Sequence, residues 1–285
     1  MYDFNYKKAA SVDEAAQTVA SAEDGKFLSG GMTLIPTLKQ RLASPSDIVD
    51  LGAIAGLKGI REEGGKIVIG AMTTQAELLA SEAVAGHCPV LQEAAALIAD
   101  PQVRYVGTIG GNVANGDPGN DMPALMQCLG ASYVLTGPQG EREVAARDFY
   151  EAAYFTALAP DEILTKIKIP VPAAGHGYAY EKLKRKVGDY ATAAAAVVLT
   201  FSGGTVASCS VALTNVADTP LFAAEAGEIL TGSSLDADTV KRAMAAAEAI
   251  TDPASDGRGP AEYRTKMAGV MLERAIARAA DRARG

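Results

Sequence analysis

Only three cysteines, Cys88, Cys128 and Cys209, are spread over the 285 residues, and no two of them stand as a C-x-x-C pair. Neither a zinc site nor an iron–sulfur cluster can be assembled from this chain alone, and the three are expected as reduced, buried thiols. Histidine is scarcer still: His87 and His176 are too few for a histidine-rich metal site, and no H-E-x-x-H occurs. Basic residues are in deficit, 26 Lys+Arg against 34 Asp+Glu for a formal net charge of -8 at pH 7. That balance argues against DNA or RNA as a partner, since such binding rests on neutralising phosphates. The longest apolar run, residues 191–201, is too short to cross a bilayer as a helix. Residues 1–8 lack the basic-then-apolar pattern of a secretory signal, so a soluble cytoplasmic protein is expected. Also absent are G-x-G-x-x-G after a strand, G-x-x-x-x-G-K-[ST] and G-x-S-x-G. A Rossmann dinucleotide site, a P-loop and a hydrolase nucleophile elbow therefore lack support.

What the chain does have is glycine in pairs. Ser29-Gly30-Gly31-Met32-Thr33-Leu34-Ile35-Pro36 and Thr108-Ile109-Gly110-Gly111-Asn112 each place a pair directly before an element start. Without a Cβ the backbone takes positive φ and a ligand can approach the main chain closely, with N–H groups aimed at an anion. An acidic chain would attract a pyrophosphate through such local amide dipoles rather than through a general basic field. The pairs Gly64-Gly65 and Gly203-Gly204 read instead as hairpin turns.

Around these pairs the pattern is mixed. Ser11-Val12-Asp13-Glu14 is a capping box for a helix over 11–22, followed by a strand at 26–28, the first glycine pair and a helix over 33–42. Residues 47–50 read as a strand, and 57–60 with 66–70 as a hairpin. A second capping box, Thr74-Gln75-Ala76-Glu77, precedes a helix over 89–98 that Asp100-Pro101 ends. From there a long polar loop is expected, carrying the second glycine pair as far as Asp121, an N-cap for a helix near 122–129. Strands follow at 132–136, 142–145 and 163–169, then a linker at 171–175. Beyond it lie three strand-like runs, 177–184, 191–201 and 206–215, and three helices near 221–230, 236–250 and 260–283. The last helix carries an apolar stripe of Ala268, Met271, Leu272, Ala275, Ile276 and Ala279. The layout predicts an α+β protein with a boundary near 175, its second part a three-stranded antiparallel sheet and a three-helix bundle.

The strings around the glycines resemble a known family. The first is similar to the A-G-G-x-S-L-x-P loop, and Thr108 to Asn112 is identical to the T-I-G-G-N loop, of the flavin subunits of molybdenum hydroxylases. Residues 98–105, 115–124, 180–191 and 255–264 resemble the medium subunits of the aerobic, molybdenum–copper carbon monoxide dehydrogenases, so the likeness covers essentially the whole chain. Met32 departs from it where many relatives carry histidine, and Ser29 where they carry alanine; neither change removes a backbone N–H.

The resemblance implies a two-part FAD-binding domain of the vanillyl-alcohol-oxidase type over 1–175, with subdomains 1–55 and 56–175, and a smaller C-terminal domain over 176–285. It implies that Ser29, Gly30, Gly31, Met32, Thr33 and Leu34 form one side of an FAD pyrophosphate grip, and that Thr108, Gly110, Gly111 and Asn112 hold the other side and the ribityl chain. Asp121 matches an aspartate bonded to the adenosine portion, or is simply a helix N-cap. Ile98 and Leu164 match apolar cofactor contacts, or are ordinary core. Lys182 matches a cation near the flavin ring, although the run 182–186 also reads as a solvated edge strand. Tyr190 matches an aromatic beside the ring, or simply packs.

As implied function, FAD here receives electrons from two [2Fe-2S] clusters of a small subunit after carbon monoxide oxidation at a molybdenum-cofactor and copper centre in a large subunit. It passes them to a quinone-type acceptor. No catalytic acid–base pair and no metal are expected in this chain, and the resemblance implies a heterohexamer built as a dimer of heterotrimers and an association of that complex with the inner face of the membrane. The alternatives are the medium subunit of another molybdenum hydroxylase acting on purines or N-heterocycles, an assembly subunit without flavin, and a free-standing flavin oxidase.

Overall fold

Ser11 lies in extended backbone and its hydroxyl accepts the Glu14 amide at 3.1 Å, while the Glu14 carboxylate accepts the Ala10 amide at 2.8 Å. This cap opens the first helix of the computed structural model, which describes residues 1–285. In chain order β1 (Asn5–Lys8), α1 (Val12–Ser21), β2 (Gly25–Leu28), α2 (Leu34–Lys39) and β3 (Asp47–Asp50) build a parallel sheet of order β1-β3-β2. Helix α1 packs on it through Ala15, Ala16 and Val19. Strand β1 is absent from the sequence reading because its four residues are all exposed and carry no alternation for burial to impose. The helix expected over 33–42 shortens to the six residues of α2, whose N-cap Thr33 makes no side-chain cap bond.

An antiparallel layer follows. Strands β4 (Ile60–Glu63) and β5 (Lys66–Gly70) turn through Gly64 and Gly65, both at positive φ. Six short helices come next: α3 (Gln75–Ala80), α4 (Glu82–His87), α5 (Val90–Leu97), α6 (Pro101–Val106), α7 (Ile109–Ala114) and α8 (Asp121–Cys128). They lead into β6 (Ser132–Gly137), β7 (Gly140–Ala145), the small hairpin β8 (Tyr150–Ala152) and β9 (Phe155–Thr156), and β10 (Ile163–Pro170). Strand β10 returns to the centre of the sheet, whose order is β4-β5-β10-β6-β7, and pairs Ile167 with Ile69 on one side and Tyr133 on the other.

The long loop expected after Asp100 is a correction. The Asp100 carboxylate accepts the Val103 amide at 3.0 Å and Pro101 occupies the first turn, so a new helix, α6, starts where the previous one ends. Thr108 then caps α7 by accepting the Gly111 amide at 3.0 Å, which puts the second glycine pair inside a helical first turn. The N-cap of α8 is Asn120, which makes no side-chain cap bond, and not Asp121, whose carboxylate is drawn elsewhere.

Strands β11 (Gly177–Leu183), β12 (Ala193–Ser202), β13 (Thr205–Thr214) and β14 (Leu221–Phe222) form an antiparallel meander, followed by α9 (Ala224–Leu230), α10 (Ala237–Ala249) and α11 (Ala261–Arg284). The sheet has four strands rather than the expected three; β14 is two residues long, below the length at which an alternation can be read. The unbroken apolar run of β12 has a reason. Ala179, Ala193, Ala195, Val197 and Leu199 pack toward α11, whose stripe from Ala268 to Ala279 is buried. Tyr180, Ala194, Ala196 and Ala212 pack on the opposite face into one core with Leu91, Ile109, Leu125 and Ile167. A sheet covered on both faces reads as continuous hydrophobic sequence. Arg264 of α11, 4% exposed, donates to the carbonyls of Thr192, Ala254 and Asn215 and so ties the helix to the meander.

At Gly177 a Cβ would fall on the Ala279 carbonyl oxygen, so β11 touches α11 backbone to side-chain-free backbone. Gly177→Ala should therefore lower the melting temperature of the chain, at an overpacking cost of about 1–3 kcal/mol. A thermal melt showing no change would mean that helix and strand can part freely. No helix of the chain is long and apolar enough to cross a membrane.

Candidate functional site

The two glycine pairs, 80 positions apart, meet. The Ser29 and Thr108 hydroxyls lie 2.6 Å from each other, and a Cβ on Gly30 would collide with the Val106 carbonyl oxygen. Gly31 takes φ +70°, which turns the chain from β2 into α2. On the other side the Gly110 amide donates to the Ala71 carbonyl at 2.9 Å and the Ile109 amide to Thr73, while Thr74 bridges Thr108. These bonds anchor the start of α7 to the segment after β5 and hold it against the first glycine loop.

Between them opens a cavity of about 540 Å³. Its wall includes Ser29, Gly30, Gly31, Met32, Thr33, Leu34, Ile98, Thr108, Gly110, Gly111, Asn112 and Leu164. Three amide side chains on that wall carry buried polar atoms with no hydrogen-bond partner: Gln75 Nε2 and Oε1, Asn112 Oδ1 and Asn115 Nδ2. Buried polar atoms are ordinarily paired, so a wall with this many free ones is suited to a large polar ligand. Gln75, Asn115, Asn120 and Tyr154 also line the cavity and are not among the site residues expected from the sequence. Gln75 was visible only as a member of a capping box, and the asparagines only as polar loop. Glu162, another wall residue, accepts bonds from Arg142 and from the Ala159 amide, and the guanidinium holds its carboxyl below the usual carboxylate range.

Residues 2–172 match the family described as FAD binding domain in molybdopterin dehydrogenase, and residues 178–279 match the CO dehydrogenase flavoprotein C-terminal domain. The chain belongs to the FAD-binding medium chains of the molybdopterin dehydrogenases. Among the medium chains it resembles the carbon monoxide dehydrogenase medium chain of Afipia carboxidovorans, 63% identical over 99% of this chain and 98% of that one. The carbon monoxide dehydrogenase medium chain of Hydrogenophaga pseudoflava is 48% identical over 96% of each. The crystal structure of a Cu,Mo-CO dehydrogenase in a cyanide-inactivated form contains a chain that superposes with a TM-score of 0.97 at 63% identity, covering 98% of both.

For a medium chain of this family the cavity fits FAD on its own terms. Two glycine turns converge on it, the amides of Gly30, Gly31, Met32 and Thr33 donate to nothing within the protein, and the free side-chain amide groups offer both donors and acceptors. Three residues named from the sequence do not line it. Asp121 and Lys182 are joined to each other, Nζ to Oδ2 at 2.8 Å, with side chains only 6% and 1% exposed. Lys182 does lie on an edge strand, β11, but the expectation that it is solvated there is corrected, because the ion pair holds its ammonium inside the protein. Tyr180 donates to the other Asp121 oxygen at 2.7 Å. Burial raises the Asp121 carboxyl above its ordinary value, while Lys182 and the Tyr180 hydroxyl pull it back.

Tyr190 stands outside the wall but beside it. Its ring lies against Gly119 and 5.7 Å from the Arg258 guanidinium, and burial, with Asp117 and the wall residue Tyr154 nearby, pushes its hydroxyl up to about 12. The medium chain's cysteines are free, and burial pushes all three thiols up to about 12, a state in which they do not act as nucleophiles.

Proposed function

We propose that this chain is the flavin-bearing medium subunit of an aerobic carbon monoxide dehydrogenase and does not itself oxidise carbon monoxide. The observation that carries the reading is one cavity closed by both glycine turns in a chain 63% identical, end to end, to a carbon monoxide dehydrogenase medium chain. Bound FAD supplies the redox chemistry, accepting electrons from the [2Fe-2S] clusters of a small subunit and yielding them to a quinone-type acceptor. The chain's own residues bind and orient. In this proposal the amides of Gly30, Gly31, Met32 and Thr33 face the pyrophosphate from one side, the start of α7 closes the other with Thr108, Gly110, Gly111 and the Asn112 side chain, and Ile98 and Leu164 supply apolar wall. Amides fixed in this way hold a diphosphate without burying several lysines.

The proposal assigns cofactor binding to residues 1–175, in two subdomains meeting near residue 55, and leaves 176–285 to brace it. The large molybdenum–copper subunit and the small iron–sulfur subunit complete a dimer of heterotrimers that docks at the inner face of the membrane to reach its quinone. Co-purification of the three chains should give a yellow-brown complex with flavin absorbance and carbon monoxide-dependent dye reduction. The isolated chain should reduce no dye. A complex with an empty, colourless medium chain overturns the flavoprotein reading, and dye reduction with an N-heterocycle but not with carbon monoxide overturns the substrate.

A further inference from the structure

Gln75 begins α3 and is 2% exposed, yet neither atom of its carboxamide has a partner, and both belong to a side chain on the cavity wall. The fold does not need that amide for its own sake. The capping at this helix start is complete without it, since Thr74 and Glu77 exchange the two bonds of the capping box. The Gln75 main chain is occupied separately, its amide donating to the Gly107 carbonyl at 2.9 Å. A buried amide with a free donor and a free acceptor destabilises the empty fold, and an apolar residue would fill the space better.

We infer that Gln75 is a ligand-binding residue of this cavity, its carboxamide pairing with sugar hydroxyls next to the pyrophosphate. The inference rests on the FAD reading above. Position and chemistry select the hydroxyls. The bond to Gly107 puts Gln75 one residue from Thr108, at the second glycine turn, so it stands beside whatever that turn grips. Phosphate oxygens only accept and would leave Oε1 unpaired, whereas a hydroxyl both donates and accepts, and a polyol satisfies both ends of one amide. Asn112 Oδ1 and Asn115 Nδ2 extend the same requirement along the wall, one free acceptor and one free donor. FAD carries such hydroxyls on both sides of its pyrophosphate, on the ribityl chain and on the ribose.

The test uses Gln75→Leu and the unbranched Gln75→Met in the full-length chain, comparing melting temperature without FAD and affinity for FAD. A binding role predicts opposite signs: the variants melt higher than the parent without ligand, and bind FAD about 10- to 100-fold more weakly. A merely structural glutamine would lower the melting temperature instead, and that result, or unchanged FAD affinity, overturns the inference. Competition by riboflavin 5′-phosphate and by ADP identifies the sugar: the variants lose sensitivity to the competitor whose hydroxyls Gln75 meets and keep it for the other. Equal sensitivity of parent and variants to both competitors also overturns it. Failure of the parent chain to take up FAD at all would instead remove the reading on which the inference stands, a result separable from any effect of the substitutions.

Discussion

Gly111→Val should strip FAD from the protein and leave it folded, whereas Gly110→Val, one residue away, should damage the fold itself. The sequence treats the two glycines as equivalent halves of one pair, and the structure separates them. A Cβ at Gly111 would lie 2.9 Å from Thr108 Oγ1 and 3.3 Å from Ser29 Oγ, two side-chain oxygens on the cavity wall. Those side-chain groups can turn aside; losing the Thr108 cap costs about 0.5–2 kcal/mol, which replacing a helical glycine partly offsets, so α7 persists. The added bulk then stands between the two glycine turns, where a pyrophosphate has to approach the amides. Loss of two charge-assisted bonds, at about 1.5–3 kcal/mol each, weakens FAD binding by roughly 100-fold or more. At Gly110 the Cβ would lie 2.5 Å from both Cβ and the carbonyl oxygen of Ala71, the residue that accepts the Gly110 amide. Backbone cannot rotate away as a hydroxyl does, so α7 is levered off the segment after β5 and the melting temperature falls. The measurements are the flavin-to-protein ratio and a thermal melt of each purified variant. Stoichiometric FAD on Gly111→Val would show that the two turns do not hold the cofactor.

Legibility in the sequence followed the kind of interaction that decides each feature. Local chemistry was readable: the Ser11 and Thr74 caps, the Gly64-Gly65 turn, and the α11 stripe all depend on residues within a few positions of one another. So was the cavity's backbone wall, because the glycine pairs and T-I-G-G-N shape the main chain locally and their place on the wall travels with the motif. Residues 100–121 were misread because Asp100 and Thr108 cap two helices of six residues, too short for periodicity to register, the second of them carrying the glycine pair and Asn112. Side-chain partners across the fold were least readable. Nothing local to Asp121 announces that Lys182, 61 positions on, enters the protein to meet it, and nothing local to Gln75 announces that its amide ends up unpaired on the cavity wall.

Lys182→Met should be among the most destabilising single substitutions in the chain at neutral pH, and its cost should shrink in acid. The ammonium of Lys182 reaches from β11 to Asp121 at the start of α8 and to the Leu97 carbonyl at 3.4 Å, linking the C-terminal sheet to the helices behind the cavity. Removing it leaves a carboxylate in a side chain only 6% exposed, with the Tyr180 hydroxyl as its remaining side-chain donor. Breaking one side of such a pair costs about 3–5 kcal/mol. Burial already raises this carboxyl, and without the cation that opposes it the folded-state value rises further. A carboxyl raised in the folded state contributes stability that is full below its unfolded value of about 4 and is lost as pH rises through the folded value. The deficit of Lys182→Met relative to the parent should thus be largest near pH 8 and narrow toward pH 5, where Asp121 can fold protonated and donate or accept within the same pocket. The double variant Asp121→Leu with Lys182→Met removes both charges and should recover most of the loss, leaving Tyr180 its bond to Thr214 at 3.2 Å. Denaturant titrations of parent, single and double variants at the two pH values read all of this directly. A deficit that stays constant with pH would mean that Asp121 keeps its charge without Lys182, and that the pair is not what holds these layers together.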